Sequence, residues 1–347
     1  MITIATAQKS QMITIATATA ALSPPLNLRH HANELRDRGY TVIPDAGISA
    51  DLVKDARFAV ASEFSRLLDN LEELGIDPVE SSYAFKELDK RHANRWSVRP
   101  TQAESAWTRL VDSAVAAASP VVETLHAELP PSADDGLLPE FTSPMARSVL
   151  GGASRLLPST PKVDQIGAIV SRPGAGPQRF HADAGDTHLQ LARLSPRHRL
   201  FNVFCPLVDL EEGGDGTMLW PASHLERKRL EYDVYCADTC RSYLLERDER
   251  AMAEMAVPAC PAGGLLIFDF RLQHRGMPNT SGRERAIAHA VLATGGAFDK
   301  LGADASPSLI DAVDALSDDP ATRRKQREVV AQQQVESWKL QQANSAA

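Results

Sequence analysis

Between residues 164 and 294 the chain breaks repeatedly into short apolar runs: "DQIGAIVS" (164–171), "LFNVFCPLVDL" (200–210), "TMLWPAS" (217–223), "GGLLIFDF" (263–270) and "AIAHAVLAT" (286–294). Runs this short, bounded by turn residues such as "EEGGDG" at 211–216, read as buried strands. The half of the chain before them keeps a different period. "GYTVIP" (39–44) reads as one short strand. Ser49 then N-caps a helix with Val53, Val60, Phe64, Leu67, Leu71 and Leu74 on one side, stopped by Gly75. Residues 103 to 128 repeat apolar side chains at helical spacing, and a loop rich in Pro, Ser and Gly fills roughly 129 to 160. Helices first and short strands afterwards predict a mainly β fold with flanking helices, a sandwich or open barrel buttressed from one side. The polar stretch after Pro320 reads as a solvated surface helix.

Charge and cysteine content narrow the function classes. With 347 residues the chain is long enough to bury a sizeable core in one or two domains. A net charge of −8 and a pI near 5.7 argue against nucleic acid or an anionic membrane surface as partner. No apolar run reaches the length of about 18 residues needed to span a bilayer. Cys205, Cys236, Cys240 and Cys260 are too few and too scattered for a disulfide framework, which fits a reducing, cytoplasmic setting. The segment "MITIATA" occurs at 1–7 and again at 12–18, lacks the features of a secretory signal, and places residues 1–25 outside the fold as a disordered segment. A small-molecule substrate is therefore the expected partner, with self-association left open.

"RFHADAGD" (179–186) places His181 and Asp183 two apart, so on a strand both point to one face. One His-x-Asp alone is more often incidental. His274, just beyond the apolar strand 263–270, supplies a third group. Two imidazoles and one carboxylate occupy one face of a metal octahedron and leave positions open, the arrangement of non-haem Fe(II) oxygenases. Arg285 follows eleven residues later at the start of the next strand, where a guanidinium could clamp a carboxylate with two prongs.

These motifs carry a resemblance. "RFHAD", "GGDGTMLWPASH" and "GGLLIFDFRLQHRGMPNTSGRER", preceded by "LRDRGYTVIPDAGISADLV", resemble successive motifs of the phytanoyl-CoA dioxygenase family, in order, over roughly residues 35 to 295. The resemblance implies a double-stranded β-helix, or jelly roll, as one domain over 26–300, with a helical front part at 45–130, a core at about 160–295 and a helical tail at 301–347. It implies Fe(II), 2-oxoglutarate and dioxygen, and oxidation of a small natural-product or amino-acid-like substrate with release of CO2 and succinate. Carried over by position, His181, Asp183 and His274 match the metal ligands and catalytic centre. Arg285 matches the arginine on the distal carboxylate of 2-oxoglutarate, and Gln178 and Thr217 match polar positions touching that co-substrate. One departure stands out: several members have serine where this chain has Gly276, which removes a hydroxyl contact to the co-substrate. The rival function is a non-catalytic jelly-roll protein with a structural or vestigial metal, though a closed zinc site needs a fourth protein ligand and none is evident.

Other polar residues read differently. His188, His198, His224 and His289 are not expected as ligands, and His289 reads as a hydrogen-bonded mid-strand histidine. Asp186 reads as a solvated loop acid, and Asp209 and Asp215 as turn caps. Asp269 and Arg271 flank the His274 strand end as supporting residues. The segment "FKELDKRHANRWSVRP" (85–100) is the most basic before the core. It is either a solvated charged loop or the place where an acidic or polar substrate is received, with Arg95 as the candidate substrate contact.

Overall fold

The computed structural model describes residues 26–129, 160–183, 196–225, 228, 249–295 and 306–346. The first 25 residues, nearly all of the 129–160 loop, Asp186, His188, Cys236 and Cys240 lie outside them. Among the described residues, β1 (Tyr40–Ile43), β2 (Leu88–His92), β3 (Arg95–Val98), β4 (Lys162–Ser171), β5 (Arg199–Pro206), β7 (Leu265–Asp269) and β9 (Arg285–Thr294) form one antiparallel sheet in the order β1-β7-β5-β9-β4-β3-β2. A small second sheet pairs β6 (Thr217–Leu219) with β8 (His274–Gly276). The result is the expected mainly β jelly roll with helices packed on one side.

The helices form where the sequence places caps and apolar stripes. α1 (Leu28–Arg38), not anticipated from the sequence, has Asn27 as N-cap and ends at Gly39 in the left-handed region. α2 (Ala50–Glu73) starts on Ser49, whose hydroxyl accepts from the Leu52 amide at 3.2 Å. α3 (Ala106–Glu128) opens on a capping box between Ser105 and Thr108. α2 and α3 lay Val60, Phe64, Leu67, Val111, Val121 and Val122 against Trp96, Val98, Val170, Val203 and Ile267 of the sheet in one fully buried cluster. Each such side chain contributes about 1.5–3 kcal/mol by leaving water, so this layer carries most of the stability. Cys205 and Cys260 are free thiols buried within the fold, with burial pushing both up to about 12.

The basic segment 85–100 is no loose loop. It is a hairpin turned at Asn94 (φ 57°), with β3 buried along its whole length. Asn tolerates this left-handed conformation better than most residues. The tail is likewise tied to the body: after α4 (Glu249–Glu254) and α5 (Leu309–Asp314), α6 (Pro320–Ala346) buries Gln334, whose side chain accepts from the Ala84 amide at 3.1 Å. No described helix is long and apolar enough to cross a membrane.

Register decides what the inner face of the large sheet presents. Directly paired residues share a face, and alternate residues along a strand return to it. Ser171 pairs with both Arg95 and Arg285, making one polar row across β3, β4 and β9. Four residues along β9, His289 pairs with Gly167 on one side and Phe204 on the other. Asn202, two residues before Phe204, shares the same face.

Candidate metal and co-substrate site

The strand-like stretch around His181 runs antiparallel to β8. His181 and His274 exchange both backbone hydrogen bonds, at 2.9 and 2.8 Å, and the Gln178 amide donates to the Gly276 carbonyl at 3.0 Å. This pairing sets the two imidazoles side by side, with ring centroids 4.5 Å apart. Asp183 lies two residues on and closes the group. His181 Nε2 lies 3.7 Å from one carboxylate oxygen of Asp183 and His274 Nε2 lies 3.6 Å from the other. One ligand atom from each residue falls within 4.8 Å of the other two.

The orientation of each donor has a visible cause. His181 Nδ1 meets the Arg179 carbonyl and His274 Nδ1 the Leu272 carbonyl, both at 2.9 Å. A carbonyl can only accept, so Nδ1 carries the proton and Nε2 presents its lone pair inward, as a metal ligand requires. Asn202 donates to Asp183 Oδ2 at 2.7 Å from the adjoining strand β5. Burial, reinforced by His274, holds His181 down to about 4, so it is neutral at physiological pH. For Asp183 burial works in the opposite direction, but the two imidazoles and the Asn202 amide outweigh it and hold the carboxyl below its ordinary value. Two imidazoles with Nε2 turned inward and one carboxylate form the donor set that suits a divalent transition metal. Among the described residues the group has no fourth member, so a bound metal keeps open positions.

Arg285 and Arg95 lie next to this group, both almost fully buried. They share two acceptors. Arg95 Nε donates to Ser171 Oγ at 2.9 Å and its Nη2 to the Met277 carbonyl at 2.5 Å, while Arg285 Nη2 donates to the same two atoms at 3.3 and 3.4 Å. Arg285 Nε and Nη1 are buried without a hydrogen-bond partner, although Asp215 Oδ2 stands 3.7 Å from Nη1. Burial, followed by the charge of Arg285, holds Arg95 down to about 10, and burial likewise lowers Arg285 against the pull of Asp215. Two adjacent buried guanidiniums, with donors of Arg285 left over, are the chemistry that suits an anion.

The structure therefore brings His181, Asp183 and His274 together, and sets Arg95 and Arg285 on the carbonyl of Met277, three residues beyond His274. Thr217 is buried and stands directly opposite Gly276 across β6–β8. Gln178 folds its side chain back, so that Oε1 accepts from the Gly276 amide at 3.1 Å. The absence of a side chain at 276 has a steric reason. A Cβ there would lie 2.5 Å from Gln178 Oε1 and 2.8 Å from Arg95 Nη1. The space a serine side chain would need at 276 is filled by an amide and a guanidinium.

Other expectations resolve differently. Asp215, read as a turn cap, faces Arg285. Asp269 is engaged by the Arg271 amide and side chain and stands 3.6 Å from Arg199. His224 Nε2 meets the Arg36 carbonyl at 3.0 Å and so fastens the end of α1. Mid-strand His289, expected to be hydrogen-bonded, has a buried Nδ1 without a partner. Asn202 and Ser171 were missed. The only trace of Asn202 in the sequence is an amide inside the apolar run "LFNVFCP".

Several solved structures are similar to this chain. The non-heme alpha ketoglutarate dependent epimerase SnoN from nogalamycin biosynthesis, in complex with Fe3+, alpha ketoglutarate and nogalamycin RO, is 13% identical over 82% of this chain and 96% of its own, with a TM-score of 0.45. The carbocyclase SnoK from the same biosynthesis is 17% identical over 78% of this chain and 87% of its own (TM-score 0.42), and AviO1 from Streptomyces viridochromogenes Tue57 is 15% identical over 82% and 100% (TM-score 0.42). The family model for phytanoyl-CoA dioxygenase matches residues 35–287, a span that contains both histidines, the aspartate and Arg285. The chain belongs to the phytanoyl-CoA dioxygenase family.

Proposed function

We propose that the protein is an Fe(II)- and 2-oxoglutarate-dependent oxygenase that hydroxylates or otherwise oxidises a small organic molecule. The observation that carries this reading is the convergence of two fixed imidazole Nε2 atoms and one carboxylate beside a pair of buried guanidiniums, with no fourth ligand among the described residues. His181, Asp183 and His274 would hold the iron, whose chemistry with 2-oxoglutarate and dioxygen is oxidation of the substrate coupled to loss of CO2 and formation of succinate.

The chain's own residues do the rest. Arg285 receives the distal carboxylate of 2-oxoglutarate, and Arg95, at hydrogen-bonding distance from the same two acceptors, adds a second positive charge to that end. This moves Arg95 from the primary substrate to the co-substrate. Gln178 holds β8 in place through Gly276 and buttresses Arg95, while Thr217 offers a hydroxyl from across the ladder. Asn202 keeps the Asp183 carboxylate turned toward the imidazoles. Phe204, Phe268 and Ile287 wall the inner face with apolar surface; Phe268 stacks edge-on to His274 with centroids 4.9 Å apart. They exclude water, which strengthens every charge interaction inside. The test is anaerobic loading with Fe(II) and 2-oxoglutarate, then admission of oxygen with candidate substrates. Succinate formation that depends on Fe(II) is expected. A protein that binds no iron and forms no succinate overturns the reading in favour of a binding protein.

A further inference from the structure

The inner face carries a second polar row that the metal and co-substrate do not use. His289 is the one residue of the ten in β9 that is not fully buried, although its strand lies in the middle of the sheet, so its ring borders an internal space. Its Nδ1 is buried without a hydrogen-bond partner. Room for the ring is made by Gly167, where a Cβ would lie 2.7 Å from His289 Nε2. Phe204 flanks the other side with its centroid at 5.9 Å. The β3–β4 register, continued by one residue, sets Arg99 opposite Gly167, and the Arg99 amide donates to the Glu87 carbonyl at 2.9 Å, which extends the row to β2. Arg91, half-exposed at the bulge of β2, is held by Asp89 Oδ2 at 3.1 Å. Both guanidiniums lie within electrostatic reach of His289. At about 3.3 Å per residue, His289 stands about 13 Å along β9 from Arg285.

We propose that the primary substrate is an organic acid, a carboxylate or phosphate ester, whose anionic group is received by Arg91 and Arg99 while His289 hydrogen-bonds a polar atom of its body. The proposal rests on the oxygenase reading and adds the substrate class. Iron and 2-oxoglutarate bring a dication and a dianion, so loading them adds no net charge and leaves the positive charge of this second row to a third molecule. The chain's overall negative charge makes a basic inner edge stand out as a selective feature rather than a general one.

The experiment is calorimetric titration with benzoate, phenyl phosphate and benzamide, in the protein loaded with Fe(II) and saturating 2-oxoglutarate under nitrogen, and again in the metal-free protein. At least one of the two anions is expected to bind about tenfold more tightly than benzamide, and whichever does so identifies the acid. Arg91→Gln with Arg99→Gln should weaken that anion by about tenfold, whereas the double lysine variant should keep most of the affinity because charge is retained. His289→Phe should cost about threefold, as a single neutral hydrogen bond would. Affinity for 2-oxoglutarate is followed in the same samples. Equal binding of benzamide, no binding of either anion, an unchanged double glutamine variant, or a parallel loss of 2-oxoglutarate affinity overturns the proposal. Should the glutamine pair fail to fold, Arg91→Gln alone, at its half-exposed position, decides the matter. Failure of iron and 2-oxoglutarate to bind sinks the oxygenase reading instead, while the metal-free titration still tests the anion site.

Discussion

The two faces of the seven-stranded sheet are built from alternate residues of the same strands, yet they obey opposite rules. On β3, Trp96 and Val98 face the helices while Arg95 and Ser97 face inward; on β5, Phe201 and Val203 face outward while Asn202 faces the site. The outer face is apolar, closed by α2 and α3, and has nothing to bind. The inner face keeps guanidiniums, an amide and an imidazole out of water, which costs stability unless each finds a partner. Arg95 and Asn202 find protein partners; Arg285 Nε and Nη1 and His289 Nδ1 find none by hydrogen bond. Stability is thus concentrated on one face and unsatisfied polarity on the other, within strands that share a backbone.

That contrast makes predictions that should not mix. The largest effect is expected from Asp183→Ala, which removes the anionic ligand: coupled succinate formation should fall by at least about a thousandfold, while the melting temperature stays within about 2 °C, because the residue is exposed and contributes little to the core. A loss of fold in this variant would break the division between the faces. Trp96→Ala is the converse. The indole is fully buried, stacks on Phe64 with centroids 5.1 Å apart, and donates to the Tyr83 hydroxyl at 2.7 Å. Its removal should cost about 3–5 kcal/mol in denaturant unfolding and leave iron affinity per folded molecule intact. Next comes Arg285→Lys, which keeps charge but loses the fork. The KM for 2-oxoglutarate should rise about thirtyfold with iron binding retained, and an unchanged KM would show that Arg95 alone carries that carboxylate.

How much of this was legible in the sequence follows the same division. The outer face was readable because burial repeats: Val53, Val60, Phe64 and Leu67 recur at helical spacing after a capping serine, and α2 begins one residue after Ser49. The three metal-ligand candidates were readable because their chemistry is rare and their order along the chain is specific. The hairpin 88–98 was not settled, since β2 and β3 are short and charged and nothing local shows that Arg95 is buried. That burial depends on Ser171, 76 residues later, and on the Met277 carbonyl, 182 residues later. Asn202 was hidden for a related reason. A lone amide in an apolar run has meaning only once register brings it to Asp183.

Asn202→Ala measures how far such hidden support matters. The Asp183 carboxylate would lose its hydrogen bond from the Asn202 amide, so iron affinity should drop about tenfold. Measured by competition with a metal chelator, an affinity unchanged within twofold would mean that the imidazoles alone position the carboxylate.

The smallest effect belongs to Gly276→Ser, and two readings predict opposite signs for it. From sequence alone, the glycine is a missing hydroxyl, so restoring serine should tighten 2-oxoglutarate binding. From the structure, the space is taken: a Cβ would lie 2.5 Å from Gln178 Oε1 and 2.8 Å from Arg95 Nη1. Both contacts are ends of side chains that can retreat, so the fold should survive, but the retreat pulls Arg95 away from Ser171 and loosens the anion receptor. The affinity for 2-oxoglutarate should therefore fall about three- to fivefold, roughly 0.7–1 kcal/mol. Thr217, directly opposite on β6, already supplies a hydroxyl to that side and leaves the new serine little to add. The coupling has its own check. In an Arg95→Ala background the serine meets no guanidinium, so its penalty should shrink to within about 0.5 kcal/mol of zero. A serine that tightens binding in both backgrounds would make position 276 a co-substrate contact, and would leave Arg95 free to contact the primary substrate.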